Sequence, residues 1–165
     1  MTLAFSQYIN NNRTYFCHKI LTGLSINNLI EKQAYRDYCN LNTKVIDISL
    51  NCLLPKIHTI RVDEKNKWKS GNLIHFVINN RTKNRYQFAP VVKCISTQKI
   101  KIHYFYNKKT ENFDLPEVYV NGKKLTKKKV EILAINDGFE NSKAFFAYFN
   151  TNFTGKIIHW TNTKY

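Results

Sequence analysis

Between residues 58 and 125 the chain is written in short runs of β-branched and aromatic residues. Each run is cut off by a polar or turn-forming break, and this pattern restricts the fold more than any other feature. His58–Val62, Leu73–Asn79 and Val91–Tyr104 have this character, with Gly71 and Pro90 in the stretches between them. Ile100, Ile102 and Tyr104 alternate with Lys101, His103 and Phe105, which predicts a strand with one face in a core and the other in water. Asn121-Gly122, set between Val118-Tyr119-Val120 and Lys123-Lys124-Leu125, predicts a two-residue hairpin.

Helices are expected on either side of this β-rich middle. Thr126 has the chemistry of an N-cap, and Val130, Leu133 and Ala134 follow at helical spacing. Asp137-Gly138 closes that helix, because glycine accepts the left-handed conformation of a helix end. A further helix is predicted from Ser142 to Phe149, packing Phe145, Phe146 and Phe149, with a closing strand over Gly155–Thr161. Near the start, Ile26–Cys39 reads as a helix with Ile26, Leu29 and Ile30 inward, and Lys44–Leu50 as a strand. Many short strands with few short helices predict one α+β domain over 1–165: a small, partly open barrel with helices at its mouth.

Composition fits such a domain. The 165 residues are 43% hydrophobic and 14% aromatic, which excludes a chain disordered throughout, and a chain of this length can bury a core without disulfide support. No stretch approaches the roughly 18 apolar residues of a membrane span, and Met1–Phe5 is too short for a signal peptide. The expectation is a soluble, cytoplasmic protein with no membrane partner. Cys17, Cys39, Cys52 and Cys94 match no zinc or redox spacing, and no two of the five histidines stand at the i, i+4 spacing of a helical zinc site. No metal or cofactor is therefore expected.

Charge is the stronger clue to partners. The chain carries 26 Lys+Arg against 11 Asp+Glu, a net +15. Residues 55–129 hold 18 of the basic side chains and only 5 of the acidic ones, so the excess lies in the β-rich middle.

The same stretch contains Pro55-Lys56-Ile57-His58-Thr59-Ile60-Arg61, then Trp68-Lys69-Ser70-Gly71-Asn72, then the strand Leu73-Ile74-His75-Phe76. This succession resembles the ASCH family of small PUA-like β-barrels. Asn136-Asp137-Gly138-Phe139 and Thr154-Gly155-Lys156-Ile157-Ile158-His159-Trp160-Thr161 are similar to the ends of ASCH-like proteins from phages and prophages of Bacteroidetes. The resemblance covers about 55–165 and the opening residues. Gly71-Asn72 stands where the family has Gly-Asp. Ile20-Leu21-Thr22-Gly23 resembles the segment that in the family directly precedes the lysine, so 24–54 reads as an insertion.

The resemblance implies recognition of RNA or a modified nucleoside in a basic cleft. Some small ASCH proteins are amidohydrolases that deacetylate N4-acetylcytidine with a Lys and a Thr three residues apart and a later Glu. Lys56 and Thr59 match that pair, and Asp137 is the acid nearest in motif order, with Glu140 second. The implied roles are Thr59 as nucleophile, Lys56 as its base and Asp137 as the group that orients Lys56 or handles the leaving amine's proton. On a strand Thr59 and Arg61 share one face, which suits Arg61 to a phosphate or a base edge. The same alternation turns His58 to the other side, and it is given no role.

Arg61, Lys67, Lys69, Arg81, Lys83 and Arg85, interleaved with Trp68, Tyr86 and Phe88, also suit a single-stranded or structured RNA, with cations on phosphates and aromatics stacking on bases; Trp68, placed before the Gly71 turn, reads otherwise as a core or turn-anchoring aromatic. Lys127-Lys128-Lys129 stands at a helix start, where cations oppose the helix dipole; a local polyanion partner explains it better than helix stability does, and a solvated helix start is the simpler account. The alternative is a phage protein that binds a host or virion component through 24–54 without catalysis.

Overall fold

The computed structural model describes residues 1–41, 54–107, 112–113 and 115–165. Strand β1 (Thr2–Ala4) and the hairpin of β2 (Tyr8–Ile9) and β3 (Asn12–Arg13) lead into α1 (Phe16–Ile26) and α2 (Lys32–Leu41). The middle runs through β4 (His58–Arg61), β5 (Leu73–Ile78), β6 (Tyr86–Gln87), β7 (Val92–Lys93), β8 (Ser96–His103), β9 (Tyr106–Asn107) and β10 (Asn112–Phe113). After β11 (Glu117–Val120) and β12 (Lys123–Lys124) come α3 (Lys127–Asn136), α4 (Ser142–Tyr148) and β13 (Phe153–His159). The fold is α+β.

One sheet is antiparallel throughout, in the order β12-β11-β8-β13-β4. A second is built on β5, with β1 parallel to it and β6 and β7 antiparallel. Neither sheet closes on itself, so the described residues form open sheets where the residue pattern predicts a partly open barrel.

Neighbouring residues on β13 show how the layers stack. Ile157 enters the core formed by the five-stranded sheet with Val130, Leu133 and Phe145 of α3 and α4. Ile158, pointing the other way, enters the core that holds Ile20, Leu21 and Leu24 of α1 with Phe76 and Trp160. The sheet is thus covered on both faces at β13 and β4, and this is what buries the motif residues.

The hairpin and helix signals of the second half have clear physical counterparts. Asn121 and Gly122 both take positive φ, 49° and 81°, the geometry of a type I′ turn. The Thr126 hydroxyl accepts the Lys129 N–H, and Val130, Leu133 and Ala134 are buried. Gly138, at φ 92°, ends α3.

Two expectations are corrected. Ile26–Cys39 is not one helix: α1 stops at Ile26, Asn28 turns left-handed at φ 54°, and the Leu29 N–H returns to the Leu24 carbonyl. The inward face is therefore Ile20, Leu21 and Leu24, while Ile26 is 60% exposed. Val91–Tyr104 divides into β7 and β8, which belong to different sheets. The strand expected at Lys44–Leu50 lies outside the described residues. Among the described residues no helix is long and apolar enough to cross a membrane.

Candidate functional site

Lys56 sits between two helices before β4 begins. Its N–H donates to the Lys19 carbonyl on α1 (2.8 Å), and the next N–H, of Ile57, donates to the Asn136 carbonyl at the end of α3 (3.0 Å). Gly23 makes the α1 contact close: a Cβ there would lie 2.4 Å from the Lys56 carbonyl oxygen. The glycine of Ile20-Leu21-Thr22-Gly23 is thus brought against Lys56 in space although 32 residues separate them in sequence.

The clamp aims the Lys56 side chain at the last turn of α3, whose outward carbonyls form the negative end of the helix dipole. Lys56 Nζ donates to the Asp137 carbonyl oxygen and to Asp137 Oδ1, the latter at 2.6 Å. Lys19 Nζ donates to the Gly138 carbonyl (2.7 Å). Phe16 closes over the Lys56 ammonium with its ring centre 4.8 Å away, a cation–π contact in a dry setting.

Burial lowers the Lys56 ammonium to about 8, with Asp137 opposing the shift and the Arg61 and Lys19 charges adding to it. Burial would raise the Asp137 carboxyl, but the Lys56 charge and His58 more than offset this and hold it below its ordinary value.

His58, given no role from sequence, belongs to the same cluster. It is fully buried, and its Nδ1 lies 3.7 Å from Asp137 Oδ1. Its Nε2 is 2.7 Å from the Tyr165 hydroxyl, which also accepts from Asn136 Nδ2 at 2.8 Å. When the Tyr165 hydroxyl accepts from Asn136 and donates to His58 Nε2, the ring hydrogen is left on Nδ1, which faces Asp137 at a distance beyond hydrogen bonding. Burial lowers the imidazole's pKa and favours this neutral form. The alternation rule assigned His58 a face correctly but not its neighbours. Both faces of β4 are covered, and Asp137 reaches it from the end of α3. Tyr165 carried no sequence signal.

Lys56, Thr59, Arg61 and Asp137 line one narrow pocket of about 20 Å³, where roughly 10–15 Å³ suffices for a single water-sized group. A cavity of about 230 Å³, lined by Arg13, Lys19, Phe139 and Glu140 among others, adjoins it. Another of about 470 Å³ continues past Arg61 to Thr151 and Phe153. Tyr148 lines all three, which makes them one groove with Lys56 at its narrowest point. Glu140, the second acid in motif order, lines only the 230 Å³ cavity. None of residues 24–41 lines any of the three.

Of the seven residues expected to meet nucleic acid, only Arg61 reaches this groove. Its guanidinium also donates to the Ala4 carbonyl (2.8 Å) and lies 5.1 Å from the Phe5 ring centre. Lys67, Lys69, Arg81, Lys83 and Arg85 are exposed on connections beside β5 and line none of the three cavities. Of the described basic side chains in 55–129, Lys56 and Arg61 line the groove and the others do not.

Trp68 is 7% exposed and packs in the core, so of its two expected roles the structure has the core aromatic and not the stacking surface. Its loop is anchored by Asp63, which accepts the Lys67 and Trp68 N–H groups and pairs with Lys156 at 2.9 Å. Asn72 Oδ1 accepts the Lys69 N–H (2.8 Å) and so supplies the turn's hydrogen bond without an acid. Phe88 is likewise fully buried, while Tyr86 is 39% exposed.

Among the described residues no group of three or more His, Cys, Asp or Glu is placed to hold a metal ion. Cys17, Cys39 and Cys94 are buried free thiols. No protein-family model, curated protein or solved structure matches the chain.

Proposed function

We propose that the chain is an ASCH-type, PUA-like protein that recognises a modified nucleoside in the Lys56 groove and hydrolyses an acyl amide on it, with N4-acetylcytidine-type amides as the substrate class. The observation that carries this reading is the fully buried Lys56, lowered to about 8, held by Asp137 and sharing a pocket with Thr59. A lysine whose ammonium loses its proton near neutral pH serves as a base, and a threonine hydroxyl beside it serves as a nucleophile.

In the proposed reaction, neutral Lys56 takes the Thr59 proton as Oγ1 bonds to the acyl carbon. The carbon–nitrogen bond then breaks, and Lys56 returns the proton to the departing amine. Lys56 then deprotonates a water that attacks the acyl-threonine carbon; as the bond from that carbon to Thr59 Oγ1 breaks, Lys56 returns the proton to Oγ1 and the carboxylic acid leaves. Asp137 keeps the ammonium aimed at the pocket in the charged half of the cycle, with the His58 ring 3.7 Å from its carboxylate. Arg61 is the pocket's cation for the oxyanion that forms on the acyl oxygen. The narrow pocket suits a group as small as an acetyl methyl, and the 230 Å³ cavity beside it, with Phe139 and Tyr148, suits the base.

A longer RNA is the second reading, supported by the exposed Arg81, Lys83 and Arg85, which can meet backbone phosphates outside the groove. Incubation with N4-acetylcytidine beside a panel of RNAs tests both. Release of acetate and cytidine supports the hydrolase. Binding of RNA whose log affinity falls with log salt at a slope of about −4 to −5, as about six phosphate contacts require, without turnover, supports the RNA module instead.

A further inference from the structure

A cavity of about 570 Å³ opens between β11, the start of α3 and the start of α4, and shares no lining residue with the Lys56 groove. Its floor is apolar: Val118, Leu125, Val130 and Phe146 extend there from the core under the five-stranded sheet, and Leu115, 74% exposed, stands at the edge. Its rim is cationic. Lys127 and Lys143 line it from the first turns of α3 and α4, neither of which contains an acid. Glu117, the one carboxylate among the described residues that line the cavity, is taken by Lys124 and by the Tyr119 hydroxyl. The cavity falls in the volume range of small-molecule sites, which is roughly 300–1,000 Å³.

Two cations against one already paired carboxylate leave the rim positive where the dipole of α3 is positive as well. The lysine run 127–129 raises the cost of that arrangement, and an anion bound at the rim removes it. The geometry points to a second ligand site here for a small amphipathic anion: an apolar chain or ring lying on Val118, Val130 and Phe146, with a carboxylate or phosphate held by Lys127 and Lys143.

Decanoate is the probe, titrated into the full chain labelled with ¹⁵N, with decanol as its uncharged counterpart and an oligo-aspartate peptide as an anion lacking the apolar part. The site predicts saturable amide shifts confined to residues around Val118, Leu125, Val130 and Phe146 with decanoate, and weaker binding of decanol. In the double variant Lys127→Ala/Lys143→Ala, both exposed and so without effect on folding, decanoate affinity falls about fivefold, as expected for loss of two exposed charges. Shifts scattered over the surface, equal affinity in the double variant, or a response to the peptide but not to decanoate would each overturn the inference. Turnover at Lys56 is not involved, so failure of either proposal leaves the other standing.

Discussion

Lys56 Nζ and Asp137 Oδ1 lie 2.6 Å apart with their side chains 2% and 4% exposed, joining positions 81 residues apart in sequence. A buried ion pair is a poor source of stability but a costly thing to break, because the surviving charge has no solvent to return to. The pair is therefore a test of how the site is held.

Replacing Lys56 by Met leaves the Asp137 carboxylate buried beside neutral His58 and is expected to cost about 3–5 kcal/mol. The double variant Lys56→Met/Asp137→Asn removes both charges and should recover at least half of that loss. Urea denaturation of the wild type, both single variants and the double gives the coupling energy. A value within roughly 0.5 kcal/mol of zero, as found for independent sites, would mean the two residues do not act as a pair.

Gly23→Ala is the sharpest steric prediction. The added Cβ would sit 2.4 Å from the Lys56 carbonyl oxygen, a backbone atom fixed by the hydrogen bonds of Lys56 and Ile57 to α1 and α3. Overpacking of this kind costs about 1–3 kcal/mol, and here it also displaces Lys56. The thermal midpoint and the pKa of the lysine, followed by NMR, should both move. A variant as stable as the wild type with an unchanged lysine would contradict the clamp.

Tyr165→Phe separates positioning from packing. Without the hydroxyl, His58 loses the partner that fixes its tautomer, and Nδ1–H no longer shares the Asp137 charge. More of that charge then falls on the Lys56 ammonium, so its pKa rises and the alkaline rise in turnover moves to higher pH. Stability drops by about 1 kcal/mol, the net worth of an ordinary hydrogen bond. Were Tyr165 only a packing residue, the profile would keep its position.

Much of the second half of the fold could be read from its residues, because local chemistry decides it. Asn121-Gly122 has few alternatives to a tight hairpin, and Thr126 followed by Val130, Leu133 and Ala134 marks both the start and the buried face of α3. Motif order also picked out Lys56, Thr59 and Asp137, which the structure brings to one pocket. The start of the chain was harder. Ile26, Leu29 and Ile30 have helical spacing, but α1 begins ten residues earlier and Asn28 breaks the run. The roles of Trp68 and His58 depend on what covers them, and period-two alternation says only that two faces exist. Tyr165 reaches His58 through a tertiary contact over 107 residues, which no local pattern encodes.

The most direct measurement is the pH profile of N4-acetylcytidine deacetylation by the wild type, Lys56→Ala and Thr59→Ala. Lys56 must be neutral to act as base, and its pKa of about 8 leaves roughly a tenth in that form at pH 7, so kcat/KM should rise with pH and level off above about 8. Both variants should lose activity by at least about a hundredfold while remaining folded by circular dichroism. Turnover that is unchanged in both variants, or absent from the folded wild type across that pH range, would contradict the assignment of this site as a hydrolase.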